Sequence, residues 1–416
     1  MSNKKVLMLA YYFPPMGLSG VQRTLKFVKY LPEFGWGPTV LTTDSGSYYA
    51  YDNTLLAELE DRDIKIIRTD DKSTKPNSYP STFKQKIGRF VGGLFLQPDS
   101  KIGWKKKALE TGSKLIESDK PDVIFSTAPP FTSHLVAAEL AEKYNIPLVL
   151  DYRDQWYGNP FNSMPTMFHK DYNKKLEENV LYKSSKIIVI SREQKERLLK
   201  NYKFLKHNDI NIVSHGYDKE DFENIEPKSI DNEFVITHSG LFQDNRNPRP
   251  FFEAFRKFLD SNQTNKNKIK LKLVGLMRKN HLKMIKKLKL DDNVILTGNV
   301  SHKEAVEHIM QSDVLWILQN DDVRTPGKLY EYFGTKKPIL ATMPKSYMRD
   351  LAVSSGIALT AEPDDKNDIF KAISTYYQLW QRNALPKGTD DFVSAYDRYK
   401  LTENLAQILS SSSIIW

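Results

Sequence analysis

Short apolar runs rich in β-forming residues alternate with helical stretches along almost the whole chain, and few folds tolerate that rhythm. KKVLMLAYYF (4–13) leads through a glycine-containing turn into the amphipathic GVQRTLKFVKYL. PTVLTT (38–43), DIKIIRT (63–69), PDVIFSTA (121–128), IPLVLDY (146–152), SKIIVIS (185–191) and DINIVS (209–214) follow, with helices such as FTSHLVAAELAEKYN between them. Unbroken apolar strands separated by helices indicate parallel sheets covered on both faces. The rhythm restarts after IEPKSIDN (225–232) with FVITHSG (234–240), the helix PRPFFEAFRKFLDSN, and the strands KIKLKLVG, NVILTGNV, DVLWILQ, KPILATM and GIALTA. At 416 residues the chain exceeds one ordinary core, so the expectation is α/β: two doubly wound, Rossmann-like domains facing a cleft. In such sheets ligands sit beyond the carboxyl ends of the strands.

Composition narrows the chemistry. The absence of cysteine excludes disulfides, thiolate metal sites and a cysteine nucleophile. An aromatic content of 12% argues for a folded chain. The amino-terminal apolar run ends at Pro14-Pro15, too soon for a typical signal peptide or a spanning helix. No later stretch is long and uncharged, so the expectation is a soluble cytoplasmic protein. The formal net charge of +10 suggests an anionic partner, whether nucleotide or membrane surface. The lysines of KNKIKLKLVGLMRKNHLKMIKKLKL alternate with core positions and read as a solvated face, so no nucleic acid is expected. Residues 71–105 interrupt the pattern: a polar DKSTKPNSYPST precedes FKQKIGRFVGGLFLQPDSKIGWKKK. The second part, with its neighbours an 83–107 segment, reads either as an insertion packed on its own domain or as a membrane-facing amphipathic stretch.

Four constellations fall at strand ends. In FPPMGLSGVQR, Gly17 and Gly20 open a helix, allowing close backbone approach and offering free N–H groups to an anion. LVLDYRDQWYGNP ends a strand in Asp151, Arg153 and Asp154, which read as a structural ion pair or as groups beside the reacting atoms. HSGLFQDNRNPRP offers His238, Ser239 and Gly240 as donors and Arg246 and Arg249 as fixed positive charge. In TPGKLYEYFGTKKPIL, Pro326 and Gly327 turn the chain into a helix on which Lys328 and Glu331 share a face. Leu329, Tyr332 and Phe333 should point into the core. No HExxH pair, GxSxG elbow or GxxxxGK[ST] loop occurs.

Together these motifs resemble the GT-B glycosyltransferases of the retaining family 4 type, over nearly the whole chain. YYFPPMGLSGVQR is similar to the amino-terminal glycine loop, and PLVLDYRDQW to a later strand of that domain. KIIVISREQKERL and IVSHGYDKEDF are similar to the segments before the interdomain linker, and VITHSGLFQDNRNP to the first strand and loop of the donor domain. The resemblance implies an acceptor-binding domain over 1–225, a donor-binding domain over 226–395, and a last helix, 396–416, crossing back onto the first domain. It places donor contacts at Ser239, Gly240, Arg246, Gly327, Lys328 and Glu331. The family's E-x7-E motif assigns Glu331 to the ribose hydroxyls. Val323 stands where the first, sugar-contacting Glu belongs, with Asp321 or Asp322 as stand-ins. Gly17 and Gly20 match the loop that closes over phosphates and acceptor. Arg153 stands where many relatives carry a histidine, which makes it and Asp154 the candidates for acceptor activation.

The implied activity is metal-independent, cofactor-free transfer of a sugar, a hexose or a related unit, from a UDP- or GDP-type donor to a carbohydrate or lipid-linked hydroxyl, with retention. Surface polysaccharide or glycolipid assembly, peripheral to the inner face of a membrane, is the setting the family suggests. Two alternatives remain open: a GT-B sugar-nucleotide 2-epimerase, and a catalytically silent nucleotide-sugar-binding partner.

Overall fold

The computed structural model describes residues 4–413 except 18, 45, 47–50, 71–92, 163, 224, 226–231 and 243–245. DKSTKPNSYPST and the first part of the mixed aromatic–lysine stretch therefore lie outside the described residues. The chain divides into two compact units, Met1–His215 with Arg398–Trp416, and Gly216–Asp397.

The first unit carries β1 (Lys4–Leu9), β2 (Trp36–Thr43), β3 (Lys65–Thr69), β4 (Val123–Ala128), β5 (Leu148–Tyr152), β6 (Lys186–Val189) and β7 (Ile210–Ile212). Among the described residues they form one sheet of order β3-β2-β1-β4-β5-β6-β7, with every pairing parallel. Its helices are α1 (Ser19–Tyr30), α2 (Thr54–Ala57), α3 (Lys105–Ser118), α4 (Thr132–Tyr144), α5 (Met167–Tyr182), α6 (Arg192–Asn201) and, from the chain's end, α14 (Arg398–Ser412). The two-residue strand period explains why β1 is apolar without a break from Val6 to Leu9. Leu7 and Leu9 enter the core on one face, whereas Val6 and Met8 enter the core on the other. In that second core Val21, Leu25 and Val28 of α1 meet Leu401, Leu405 and Leu409 of α14. Both sets recur at helical spacing, which is what lets two helices share one apolar seam. From the interrupting segment, Trp104 is wholly buried and its indole N–H donates to Thr69 Oγ1 at 2.6 Å.

The second unit carries β8 (Phe234–Ser239), β9 (Ile269–Val274), β10 (Val294–Gly298), β11 (Val314–Leu318), β12 (Ile339–Thr342) and β13 (Ala358–Ala361). Their order is β10-β9-β8-β11-β12-β13, again all parallel. Around them lie α7 (Arg249–Ser261), α8 (Lys279–Lys287), α9 (His302–Met310), α10 (Gly327–Thr335), α11 (Tyr347–Ser354), α12 (Lys366–Gln381) and α13 (Asp390–Ser394). α7 turns Phe251, Phe252, Phe255 and Phe258 inward, and Phe251 stacks on Trp316 of β11 with centroids 3.6 Å apart. In each sheet the strand order reverses once, at β1/β4 and at β8/β11. A crevice opens at such a switch point, which makes those strand ends the place to look for ligand chemistry.

No helix among the described residues is long and apolar enough to cross a membrane.

Candidate functional site

In the second unit, β8 ends in His238 and Ser239, both buried, and then Gly240 at φ 129°. That backbone region is closed to side chains, so glycine is required there for conformation; a Cβ would meet nothing within 4 Å. The Ser239 amide donates to Tyr332 Oη at 2.9 Å, which ties α10 to the end of β8. Arg246 reaches from the following loop to Gln319 Oε1 at 3.4 Å, just past β11.

Beyond β11 the chain folds around Asp321. Its Oδ1 accepts from Gln319 Nε2 at 3.1 Å and from the amides of Val323 and Arg324 at 3.2 and 2.8 Å. Its Oδ2 accepts from Arg324 Nε and Nη2 at 3.0 and 2.7 Å. Asp321 is thereby consumed in shaping the loop, which removes it as a stand-in for the acid missing at Val323. Asp322 is exposed.

Pro326 then opens α10. Gly327 has open space where a Cβ would stand; the Leu329 amide donates to the Pro326 carbonyl at 3.1 Å, and the Gly327 and Lys328 amides precede the first helical hydrogen bond. Leu329, Tyr332 and Phe333 are core residues, as their spacing predicts. Lys328 Nζ lies 2.5 Å from Glu331 Oε2. On the other side His302 Nδ1 is 3.8 Å from Glu331 Oε1, and its Nε2 is 3.0 Å from Asp221 Oδ2. Burial opposes ionisation of Glu331, but Lys328 and His302 outweigh it and hold its pKa below the usual carboxylate range. Glu331 is thus a charged, mostly buried carboxylate whose Oε1 has no hydrogen-bond partner. It can accept a hydroxyl.

His238 is the second orphan. Its Nδ1 lies 3.0 Å from the Trp316 carbonyl oxygen, and its Nε2 has no partner. Burial, with Arg246, Lys328 and His281 adding to it against the Trp316 hydrogen bond, pushes its pKa down to about 3. The ring is neutral at any physiological pH.

In the first unit the carboxyl ends of β1, β4 and β5 converge. Asp151 forms its ion pair with Arg23 of α1, not with Arg153. Arg23 Nε and Nη2 approach its carboxylate at 2.8 to 3.2 Å, and Thr127 Oγ1 donates to it at 2.8 Å. Arg23 also donates to the carbonyls of Val213 and Ser214 at 2.8 and 2.6 Å. Arg153, the sequence-derived candidate for acceptor activation, spends its guanidinium on main-chain carbonyls instead. It donates to Gly20 and, at 2.5 Å, to Pro129. A guanidinium so engaged holds the start of α1 against the end of β4, a positioning role. Asp154 is half-buried, and its charge is among those that offset the burial of Arg153. A Cβ on Gly17 or Gly20 would make only ordinary contacts. Packing therefore does not demand glycine at either position.

Behind this edge, Tyr157 N donates to Glu177 Oε2 at 2.9 Å, so α5 anchors the loop that follows β5. Sequence reasoning missed Glu177, Gln319 and His302. Only His302 leaves a local signal: the capping box of Ser301 and Glu304 fixes it as the first residue of α9.

Two family models match the chain, Glycosyltransferase Family 4 over residues 20–221 and Glycosyl transferases group 1 over residues 218–387. No curated protein matches it. Among solved structures it is similar to Anabaena Alr3699/HepE in complex with UDP and glucose, at 14% identity and a TM-score of 0.67, covering 98% of this chain and 100% of that one. It is similar to a glycosyltransferase from Rickettsia africae ESF-5, at 16% identity and 0.68, covering 99% of each chain. It also resembles the sucrose-phosphate synthase tll1590 of Thermosynechococcus elongatus, at 13% identity and 0.68, covering 98% of each. At such identities these likenesses establish the two-domain GT-B fold.

Proposed function

The chain belongs to the GT-B glycosyltransferases, and from that membership we propose that residues 216–397 bind a nucleoside-diphosphate sugar while the first unit receives the hydroxyl acceptor. The observation that carries the reading is Glu331: an ionised carboxylate on α10, the helix that follows β11, braced by Lys328, with one oxygen that has no hydrogen-bond partner. A ribose hydroxyl supplies the donor that oxygen lacks. Lys328, Arg246 and the free amides at Gly327 provide positive charge for a diphosphate, and Ser239 and Gly240 line the end of β8 beside it. That charge matters most as the bond breaks, because the departing diphosphate gains negative charge in the transition state. With this cationic set no metal is needed.

In the retaining mode the C1–O bond to the diphosphate breaks and the acceptor oxygen bonds C1 on the same face. The acceptor's proton passes to the leaving phosphate oxygen. Gly17 and Gly20 let the acceptor approach the backbone, Asp154 orients its hydroxyl, and Arg153 keeps that edge in place. The crystallised relative holding UDP and glucose makes a UDP-hexose the first donor to try. A lipid-linked acceptor in surface polysaccharide or glycolipid assembly would suit the net charge of +10 at an anionic membrane.

The test is thermal stabilisation by UDP, GDP, ADP and CMP, with the intact protein and Glu331→Ala. A ligand at a hundredfold excess over its Kd adds about 2.7 kcal/mol. One diphosphate should stabilise the intact protein and lose most of its effect in the variant. No stabilisation by any of them refutes the donor reading. Following the matching nucleotide-sugar with and without acceptor then separates transfer from 2-epimerisation, which needs no acceptor, and from silent binding.

A further inference from the structure

His238 is an acceptor without a task. It is 5% exposed at the carboxyl end of β8. Because a carbonyl oxygen can only accept, the 3.0 Å contact with Trp316 fixes the imidazole proton on Nδ1 and leaves Nε2 as a bare lone pair. The ring has little freedom to turn: it stacks on Phe242 with centroids 4.3 Å apart at 11° and leans on Trp316 at 5.0 Å. Among the described residues nothing donates to Nε2. Leaving a buried acceptor unpaired costs stability, and such groups are the exceptions that call for an explanation.

The titratable groups close enough to depress its basicity are Arg246, Lys328 and His281, the first two being the cations read above as diphosphate ligands. A diphosphate at neutral pH offers chiefly acceptor oxygens, which suit those cations and not a lone pair. The ribose hydroxyls have Glu331. The remaining donor groups of a nucleotide-sugar near the diphosphate are the hydroxyls of the sugar itself. In this chain the carboxylate that would accept from them is replaced by Val323, and Asp321 is saturated by five N–H donors.

Resting on the donor reading of residues 216–397, we infer that Nε2 of His238 accepts a hydrogen bond from a hydroxyl of the transferred sugar, replacing the acceptor lost at Val323. His238 then distinguishes the sugar-bearing donor from the bare nucleoside diphosphate. It does so as a neutral base, with no proton taken up.

Calorimetric titration of the intact protein with UDP against UDP-glucose, and GDP against GDP-mannose, tests this. His238→Phe keeps a ring to stack on Phe242 but has no acceptor. It should weaken the hexose conjugate about tenfold, or 1.4 kcal/mol, while the free diphosphate stays within about twofold. His238→Gln, whose amide still offers an oxygen, should recover part of the loss. Equal weakening of both ligands, or of neither, overturns the inference. Titrating the wild type in two buffers of different ionisation enthalpy decides the matter even if the variants do not fold. No proton uptake is expected, and uptake approaching one proton would make His238 an imidazolium bound to the diphosphate, which also overturns it. If the wild type binds none of these ligands, the donor reading itself falls. If it binds them and only the His238 comparison fails, that reading stands.

Discussion

Replacing Glu177 by Gln should make the first unit more stable at alkaline pH and leave it nearly unchanged in acid. Glu177 is wholly buried. Its Oε2 accepts from Tyr202 Oη at 2.8 Å and from the Tyr157 amide at 2.9 Å, while Oε1 has no partner. Burial is the larger effect and hydrogen bonding the smaller, so the pKa rises from 4.5 to about 7. A raised pKa means the folded state holds the proton more tightly than the unfolded chain. The resulting stability is fully present below the unfolded value and is lost as pH rises through the folded one. At 1.36 kcal/mol per pH unit across that gap, the loss is about 3 kcal/mol. Gln keeps an oxygen for both donors and cannot ionise. Urea unfolding can be followed by tryptophan fluorescence in a background that keeps Trp156 and replaces the other five tryptophans by Phe; the Trp156 indole N–H donates to Asn173, on the same helix as Glu177, at 2.9 Å. The variant should match the wild type near pH 4.5 and exceed it by about 3 kcal/mol near pH 8. A difference that does not change with pH, or that favours the wild type as pH rises, refutes the account of Glu177 as a desolvated acid.

Three further variants test other parts of the fold and site. Asp151→Asn removes the carboxylate charge facing Arg23, which is itself 2% exposed, and unfolding experiments should show a loss of about 3–5 kcal/mol; a loss below about 1 kcal/mol would mean the carbonyls of Val213 and Ser214 suffice. Gly334→Ala puts a Cβ 2.5 Å from the Tyr217 ring and should cost about 1–3 kcal/mol by overpacking. Gly327→Ala, with open space around it, should leave stability nearly unchanged and show itself only in donor affinity. Equal stability effects at the two glycines would contradict the packing described.

The strands are legible in the sequence because sheets covered on both faces require unbroken apolar runs, and VLML, VIFSTA and VLWIL can do little else. The glycine turns at strand ends are legible for the same local reason. What escapes is whatever depends on contacts distant along the chain. Asp151 looks as though it should pair with its neighbour Arg153, yet Arg23, 128 residues away, takes it. In KKLEENV, Glu177 looks like one more solvated charge on a helix, because nothing local says that Tyr202 will cover it. Asp321 looks available as a sugar ligand until its five donors are counted, all from residues within three positions whose turn geometry the sequence does not specify. His238 reads as a donor, since only the carbonyl of Trp316 fixes its proton on Nδ1.

The seam between α1 and α14 joins the two ends of the chain, and this sets an order of events during synthesis. The second unit is one uninterrupted stretch and has all its residues once Asp397 has emerged. The first unit is begun earlier but finished later. Until Leu401, Leu405 and Leu409 arrive, Val21, Leu25 and Val28 lack the surface that covers them in the finished protein. A nascent chain halted before residue 398 therefore carries a complete second half and an open apolar stripe on the first, the kind of surface that invites aggregation or a chaperone. Cutting the gene after residue 215 would reproduce that incomplete first half permanently, and supplying Arg398–Trp416 would be the way to close it.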